Sequence, residues 1–346
     1  MLDVISRRKV YRPHKLVDIF RTRCYPQNEI LSASKMTNPV ISVVTPVYNG
    51  GENFLRCLSS VNQALLPSSE LIVVVDGPDQ RSYHMAQKYT KNVLQLPIRG
   101  GPAQARNFGA SAARGEILLF LDADVAVPPE TLHQVVQIFK NQPDLDALFG
   151  SYDDEPGAKQ FLSQYRNLLH HYIHQTSRDD ASTFWGACGA VRRDVFFAVG
   201  GFSERYPKPS IEDIELGYRL KQAGYRIQLC RSLQVKHLKK WSASSLLRTD
   251  FFDRAIPWAR LILAKRKMPD DLNLRTSSRM SVVLIFASVG FLGWFLRRPC
   301  PAILSLLFIS NLTLLLINFP LYYFFKRKKG WWFAARAIPW HWFYYL

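Results

Sequence analysis

Asp122 and Asp124 stand two residues apart at the end of an apolar run, Ile117 to Leu121, within GEILLFLDADVAV (115–127). Bounded by Gly115 and by Pro128-Pro129, the run reads as a buried strand of a parallel sheet. In open α/β sheets, ligands gather beyond the carboxyl ends of strands, where this pair falls. Two carboxylates so close cannot both be buried without a partner. A hard divalent cation, Mg²⁺ or Mn²⁺, is the natural one. It takes one or two carboxylates and fills its other positions with oxygens such as those of a diphosphate. The bland alternative is a surface turn, where Asp is common.

Glu212 and Asp213 form a second acidic pair at the start of a helical pattern over 211–220. Ser210 is a candidate N-cap with Asp213 at the capping-box distance, and the helix dipole favours acids there. A structural role thus competes with a chemical one. His170, His171 and His174 lie on the helical pattern 161–175, with His170 and His174 on one face. They are expected as surface or core histidines rather than metal ligands. The segment 184–190, FWGACGA, has small residues that let another group approach closely. Neither Gly50-Gly51 nor Gly100-Gly101 completes G-x-G-x-x-G, and no G-x-x-x-x-G-K-[ST] loop occurs. Dehydrogenase and P-loop chemistry are therefore disfavoured.

The elements that must position these groups alternate. Strands are expected at 40–45, 70–75, 93–96, 117–121, 147–152 and 225–235. Helices are expected at 52–65, 81–90, 103–113, 130–140, 161–175, 192–199 and from 211. That order predicts a doubly wound, mostly parallel sheet flanked by helices. The chain has 346 residues, enough for one large domain or two smaller ones. Its five cysteines are scattered without C-x-x-C spacing, which fits reduced thiols. The formal net charge of +18 points to polyanionic partners. No zinc finger, RNA-recognition or basic-zipper pattern is present, so nucleic acid is not expected among them.

Apolar segments toward the C-terminus favour a membrane instead. Residues 245–266 interleave Leu246, Phe251, Phe252, Trp258 and Leu261 with Arg248, Arg254, Arg260 and Lys265, a pattern for a helix on an anionic surface. Pro257 should kink it. The runs 280–296 and 301–325 are each near the ~20 residues of a span, and the short link 297–300 makes them a transmembrane hairpin. Arg275 and Arg279 before it and Lys326 to Lys329 after it place the catalytic part and tail in the cytoplasm, against Arg297 and Arg298 at the far turn. A buried hairpin of a soluble protein is the alternative. The expected organisation is a basic arm (1–38), with no secretory h-region, then a catalytic domain (39–240) and an amphipathic interfacial segment (241–275). Two transmembrane helices (280–325) and a basic, aromatic interfacial tail (326–346) follow.

Taken in order, six motifs resemble the family 2 glycosyltransferases with a GT-A fold. They are VVTPVYNG (43–50), VVVDG (73–77), RGGPAQARNFGA (99–110), FLDADV (120–125), FWGACGAVRRDVFFAVGGF (184–202) and EDIELGYRL (212–220). The resemblance covers about residues 39–240. It implies transfer of a sugar from a nucleotide-diphosphate donor, with inversion at the anomeric carbon. It further implies that Pro46, Tyr48 and Asp76 line the nucleoside pocket, with Arg106 near the donor. Asp122 would contact ribose or sugar, and Asp124 would ligate the metal, with His237 an additional ligand. Asp213 would be the general base with Glu212 beside it, and Trp185 and Gly186 would border sugar and acceptor. The chemistry asks for such groups independently: charge on the leaving diphosphate must be neutralised, and the acceptor hydroxyl needs a base on the opposite face. Val75-Asp76 stands where relatives often carry two acids, which leaves the nucleobase open. Arg254 to Trp258 lacks the Gln of the Gln-x-x-Arg-Trp found in processive synthases, so single transfer is expected, to a lipid-linked or cell-envelope glycan acceptor. A catalytically silent nucleotide-sugar-binding scaffold on the membrane is the alternative. The intact acids speak against it.

Overall fold

Seven-residue runs of β-branched and aliphatic side chains build the centre of the sheet. The computed structural model describes residues 38–266 and 268–346; the basic arm expected over 1–38 lies, but for Asn38, outside them. Pro39 to Leu346 form one compact unit. Its sheet-bearing part runs β1 (Ile41–Val47), α1 (Glu52–Ala64), β2 (Ser69–Val75), α2 (Gln80–Gln87), β3 (Asn92–Gln95), α3 (Pro102–Ala112), β4 (Ile117–Leu121) and β5 (Val125–Ala126). It continues through α4 (Thr131–Asn141), β6 (Ala147–Tyr152), α5 (Phe161–Thr176), β7 (Cys188–Arg192), α6 (Arg193–Ala198), α7 (Glu212–Gln222) and β8 (Ile227–His237).

The strand order is β3-β2-β1-β4-β7-β6-β8-β5. Strands β1 to β4 pair in parallel. β7 is antiparallel to β4 and to β6, β6 and β8 are parallel, and β5 is antiparallel to β8. Alternate side chains feed two cores. Val44, Val74, Leu118 and Phe120 pack with α3, α5 and α7 on one face. Val43, Val73, Leu119 and Leu121 pack with α1 and α4 on the other. The expected strands and helices are all present. Two strands were not expected: the two-residue β5, and β7, inside the stretch read only as small residues. Its Gly189 leaves room for Phe184, since a Cβ there would lie 2.5 Å from that ring.

The helix cap expected at Ser210 does not form. Ile211 occupies the N-cap position without a side-chain cap. Ser210 Oγ instead donates to the Asp253 carbonyl, 2.5 Å away.

The segment after β8 is α8 (Ala243–Arg248), a π-helical stretch (Thr249–Ala255) and α9 (Ile256–Lys265). Pro257 falls in the first turn of α9, directly after the π-helical stretch, and the Asp253 carbonyl four residues before it accepts from Ser210 Oγ in place of the backbone N–H that Pro257 lacks. Four helices close the chain: α10 (Thr276–Arg297), α11 (Pro301–Ile317), α12 (Phe319–Lys329) and α13 (Trp331–Tyr345). By length and composition α10 can cross a membrane, and α11 with α12 would make a second span only as a pair bent by 58°. The run read as one helix over 301–325 therefore breaks. Pro320 cannot donate a backbone hydrogen bond there, and Asn318 turns its side chain back to Leu314 O and across to Ser281 Oγ, both 2.9 Å away. The aromatic tail is helical and packs back through Phe333 on Phe161 of α5, ring centroids 5.0 Å apart, while Trp331 and Trp332 stay exposed.

Candidate active site

β1 and β4 are neighbours whose following connections leave in opposite directions, so a crevice opens between their carboxyl ends. Pairing of β1 with β4 stops at Val44–Phe120, and Pro46, with no N–H, comes just beyond. Tyr48 follows with its ring 46% exposed, the Arg99 guanidinium 3.8 Å from the ring centroid. Asp76 ends β2 buried. Its two carboxylate oxygens accept from Gly100 N (2.7 Å) and Gly101 N (3.0 Å). Gly101 has φ +89°, and a Cβ there would lie 2.3 Å from the Pro207 carbonyl, so this loop requires glycine. Asp76 thus fixes the glycine loop that starts α3.

α3 in turn delivers Arg106. Its guanidinium, 4% exposed, donates to Asp122 Oδ1 (2.6 Å) and to Glu212 Oε1 (2.9 Å). One buried cation therefore joins the carboxyl end of β4 to the first turn of α7. Its place beside Gly186 is tight: a Cβ on that residue would lie 3.1 Å from the Arg106 guanidinium carbon. The Gly186 N–H donates to Asp213 Oδ2 (3.0 Å), and the Ile214 N–H to Asp213 Oδ1 (2.8 Å). Burial first, and then the neighbouring Glu212 charge, push the Asp213 carboxyl up to about 6.

Asp124 and His237 meet through the pairing of β5 with β8. His237 Nε2 is 3.8 Å from Asp124 Oδ2, too far for a hydrogen bond. Burial, with Lys239 adding to it, pushes His237 down to about 3, so its imidazole is neutral and carries a free lone pair. Burial raises Asp124 by more than the nearby Lys239 and Arg106 charges lower it. A neutral imidazole and an under-compensated carboxylate fit a divalent cation. Among the described residues no group of three His, Cys, Asp or Glu stands ready to hold one. Any cation here would therefore need further oxygens from substrate or water.

Tyr152, at the end of β6, stacks on His237 with centroids 4.2 Å apart, and Trp185 meets it edge-on at 4.7 Å. Sequence reasoning missed Tyr152, although the strand-end rule that found Asp122 applies equally to it. His170 and His174 are inner-wall residues, as expected: their rings pack on Trp185 at 4.8 and 5.4 Å. The structure thus brings Arg106, Asp122, Trp185, Gly186, Glu212 and Asp213 into one crevice with Asp124 and His237. Pro46, Tyr48 and Asp76 lie at the adjacent strand ends.

A GT-A-like mixed sheet with acids at the β1–β4 crevice defines a class of nucleotide-sugar enzymes. Residues 42–199 match the model of the family described as Glycosyl transferase family 2, so over this part the chain is similar to that family's domain. It is 36% identical over 121 residues to glycosyltransferase GlyG of Streptococcus pneumoniae, covering 33% of this chain and 39% of that one. The matched stretch is thus well under half of that relative's length. It is 26% identical over 242 residues to the O-antigen chain rhamnosyltransferase WbaN of Salmonella anatum, covering 64% and 74%. Its fold is similar to that of a mannosyltransferase from Pyrobaculum calidifontis in complex with GDP-Man and Mn²⁺ (TM-score 0.60, 16% identity, 94% and 93% covered).

Proposed function

We propose that this chain is a membrane-associated, inverting, non-processive glycosyltransferase that moves one sugar from a nucleotide-diphosphate donor to a hydroxyl of a lipid-linked or cell-envelope glycan. The observation that carries the reading is Arg106. It ties Asp122, on the donor side of the crevice, to Glu212, beside the base. Donor and acceptor groups are thereby held across one gap. The GDP-Man held by the mannosyltransferase of similar fold supports a nucleotide-sugar donor and leaves the nucleobase open.

In this reading Tyr48 offers a ring face to the nucleobase, with Pro46 and Asp76 shaping the pocket wall. Asp122 holds ribose or sugar hydroxyls, and Trp185 and Gly186 border the sugar. When bound, Mg²⁺ or Mn²⁺ at Asp124 and His237 would neutralise charge on the diphosphate. Asp213 takes the proton of the acceptor hydroxyl. The freed oxygen forms its bond to the anomeric carbon as the bond to the diphosphate oxygen breaks on the opposite face, which inverts the centre. Near neutral pH a carboxyl raised to about 6 is ionised and still basic enough to act.

The test is donor cleavage by the detergent-purified chain across UDP-, GDP- and dTDP-sugars, with either metal and with chelator. Membrane lipid extract is then added to reveal transfer. One donor should be consumed, only with metal, and Asp213→Asn should lower transfer by about 10²-fold or more. Full transfer by Asp213→Asn would remove the base assignment. Binding of a donor without turnover, even with lipid extract, would remove the enzyme reading.

A further inference from the structure

Behind the wall formed by Tyr152 lies a cleft of about 500 Å³ that the transfer reaction does not use. One side is α5, through His171 and Gln175, and the other is α12, through Tyr323, Phe324, Arg327 and Lys328. Asp154, two residues beyond Tyr152, closes one end and is ion-paired with Lys328. His171 Nδ1 donates to the Tyr152 carbonyl at 2.7 Å, so this wall is attached to the strand end that carries the stacked Tyr152–His237 pair.

The charges do not balance. Lys328 is taken by Asp154, whereas Arg327 has no ion-pair partner among the described residues. One guanidinium is left facing a cleft that also has aromatic side chains. A guanidinium binds a phosphate group through paired N–H donors. A single uncompensated positive charge suits a phosphodiester monoanion, and Asp154 would repel a group of higher negative charge. The position matters too. α12 continues the apolar helix α11 after the 58° bend and ends in Lys326 to Lys329, so the cleft sits where apolar sequence gives way to basic sequence. Basic pockets at such boundaries are suited to anionic lipid headgroups.

We propose that this cleft binds the phosphodiester headgroup of an anionic phospholipid, with Arg327 on the phosphate and Tyr323 and Phe324 against the glycerol and first methylenes. The assignment rests on the membrane association proposed above. It gives the enzyme a lipid contact one layer from the active-site wall, through Asp154 and His171.

The experiment is a thermal-shift titration of the detergent-purified full chain in mixed micelles. Phosphatidylglycerol, phosphatidylcholine, sn-glycerol 3-phosphate and inorganic phosphate are compared. Phosphatidylglycerol should stabilise the wild type, and phosphatidylcholine should not. Arg327→Gln, an exposed substitution, should weaken the phosphatidylglycerol response about tenfold. Lys329→Gln, which does not line the cleft, should leave it unchanged. Equal losses in the two variants would show diffuse charge attraction and overturn the site. An equal response to inorganic phosphate would overturn the lipid assignment. Flotation of the wild type with phosphatidylcholine vesicles tests membrane association separately, so the two failures are distinguishable.

Discussion

Arg106 is the residue whose loss should be felt most widely. Removing it leaves Glu212, itself buried, without its cation, and breaking a buried pair in this way costs about 3–5 kcal/mol. Arg106→Met should therefore lower the thermal unfolding midpoint clearly. Arg106 also favours the ionised form of Asp213, so any activity that survives should have its pH midpoint moved upward. Asp213 itself sets two opposite trends. Its carboxyl is raised from 3.8 to about 6 on folding, so between those pH values the native state holds more protons than the unfolded one. Stability from this group falls as pH rises through that window. In the proposed mechanism activity should rise through it, because Asp213 must be ionised to act as the base. A pH–rate profile and a pH series of unfolding midpoints, each compared with Asp213→Asn, check both signs. A flat rate profile would dissociate the residue from catalysis. Composition and spacing made these acids legible in the sequence, but not their partner. Arg106 was expected only near the donor, because nothing local in α3 shows which carboxylates 16 and 106 residues away will fold onto it.

The elements were most legible where one periodicity persisted. β1, β2 and β4 are buried along nearly their whole length and read as strands at once. β7 was hidden because its CGAVR is short and opens with residues that carry little strand preference; its place between β4 and β6 is set by tertiary pairing. The amphipathic pattern over 245–266 was seen, but its faces were not assigned. In the structure Leu246 and Leu261 are buried against the domain, and Trp258 Nε1 donates to Tyr218 Oη of α7 at 3.2 Å. Phe251 and Phe252 point outward, 50% and 62% exposed, with Leu263 beyond them and Arg248, Arg260 and Lys265 nearby. The π-helical stretch allows this division by shifting the phase of the helix between Leu246 and Leu261. If this outer face rests on a bilayer, Phe251→Ser with Phe252→Ser should weaken partitioning into anionic vesicles. Full burial of one Phe is worth about 1.5–3 kcal/mol, so the pair should cost well over tenfold. Unchanged partitioning with an unchanged fold would mean that the bilayer touches another surface.

At the scale of the whole molecule two forces could hold this chain at a membrane, and they respond differently to salt. The charge of +18 attracts anionic lipid, but at about 1 M salt the screening length falls to ~3 Å and that attraction is lost. Apolar insertion does not depend on screening. α10 exposes Val283, Phe286, Val289, Leu292 and Trp294, and α11 exposes Leu304, Phe308, Ile309, Leu312 and Leu316. Such a continuous apolar surface is more than a water-facing protein normally shows. The two helices lie side by side, with Ser288 Oγ and Ser310 Oγ 2.8 Å apart, so their polar side chains are satisfied within the pair and apolar ones face out. The full chain should accordingly stay with membranes through washes in about 1 M salt and in alkaline carbonate, and leave only with detergent. Release by salt alone would show that charge held it, and the exposed faces of α10 and α11 would then have to be covered by protein. Release by carbonate but not by salt would place the helices in the interface without a span, with α12 and its bend lying along the surface.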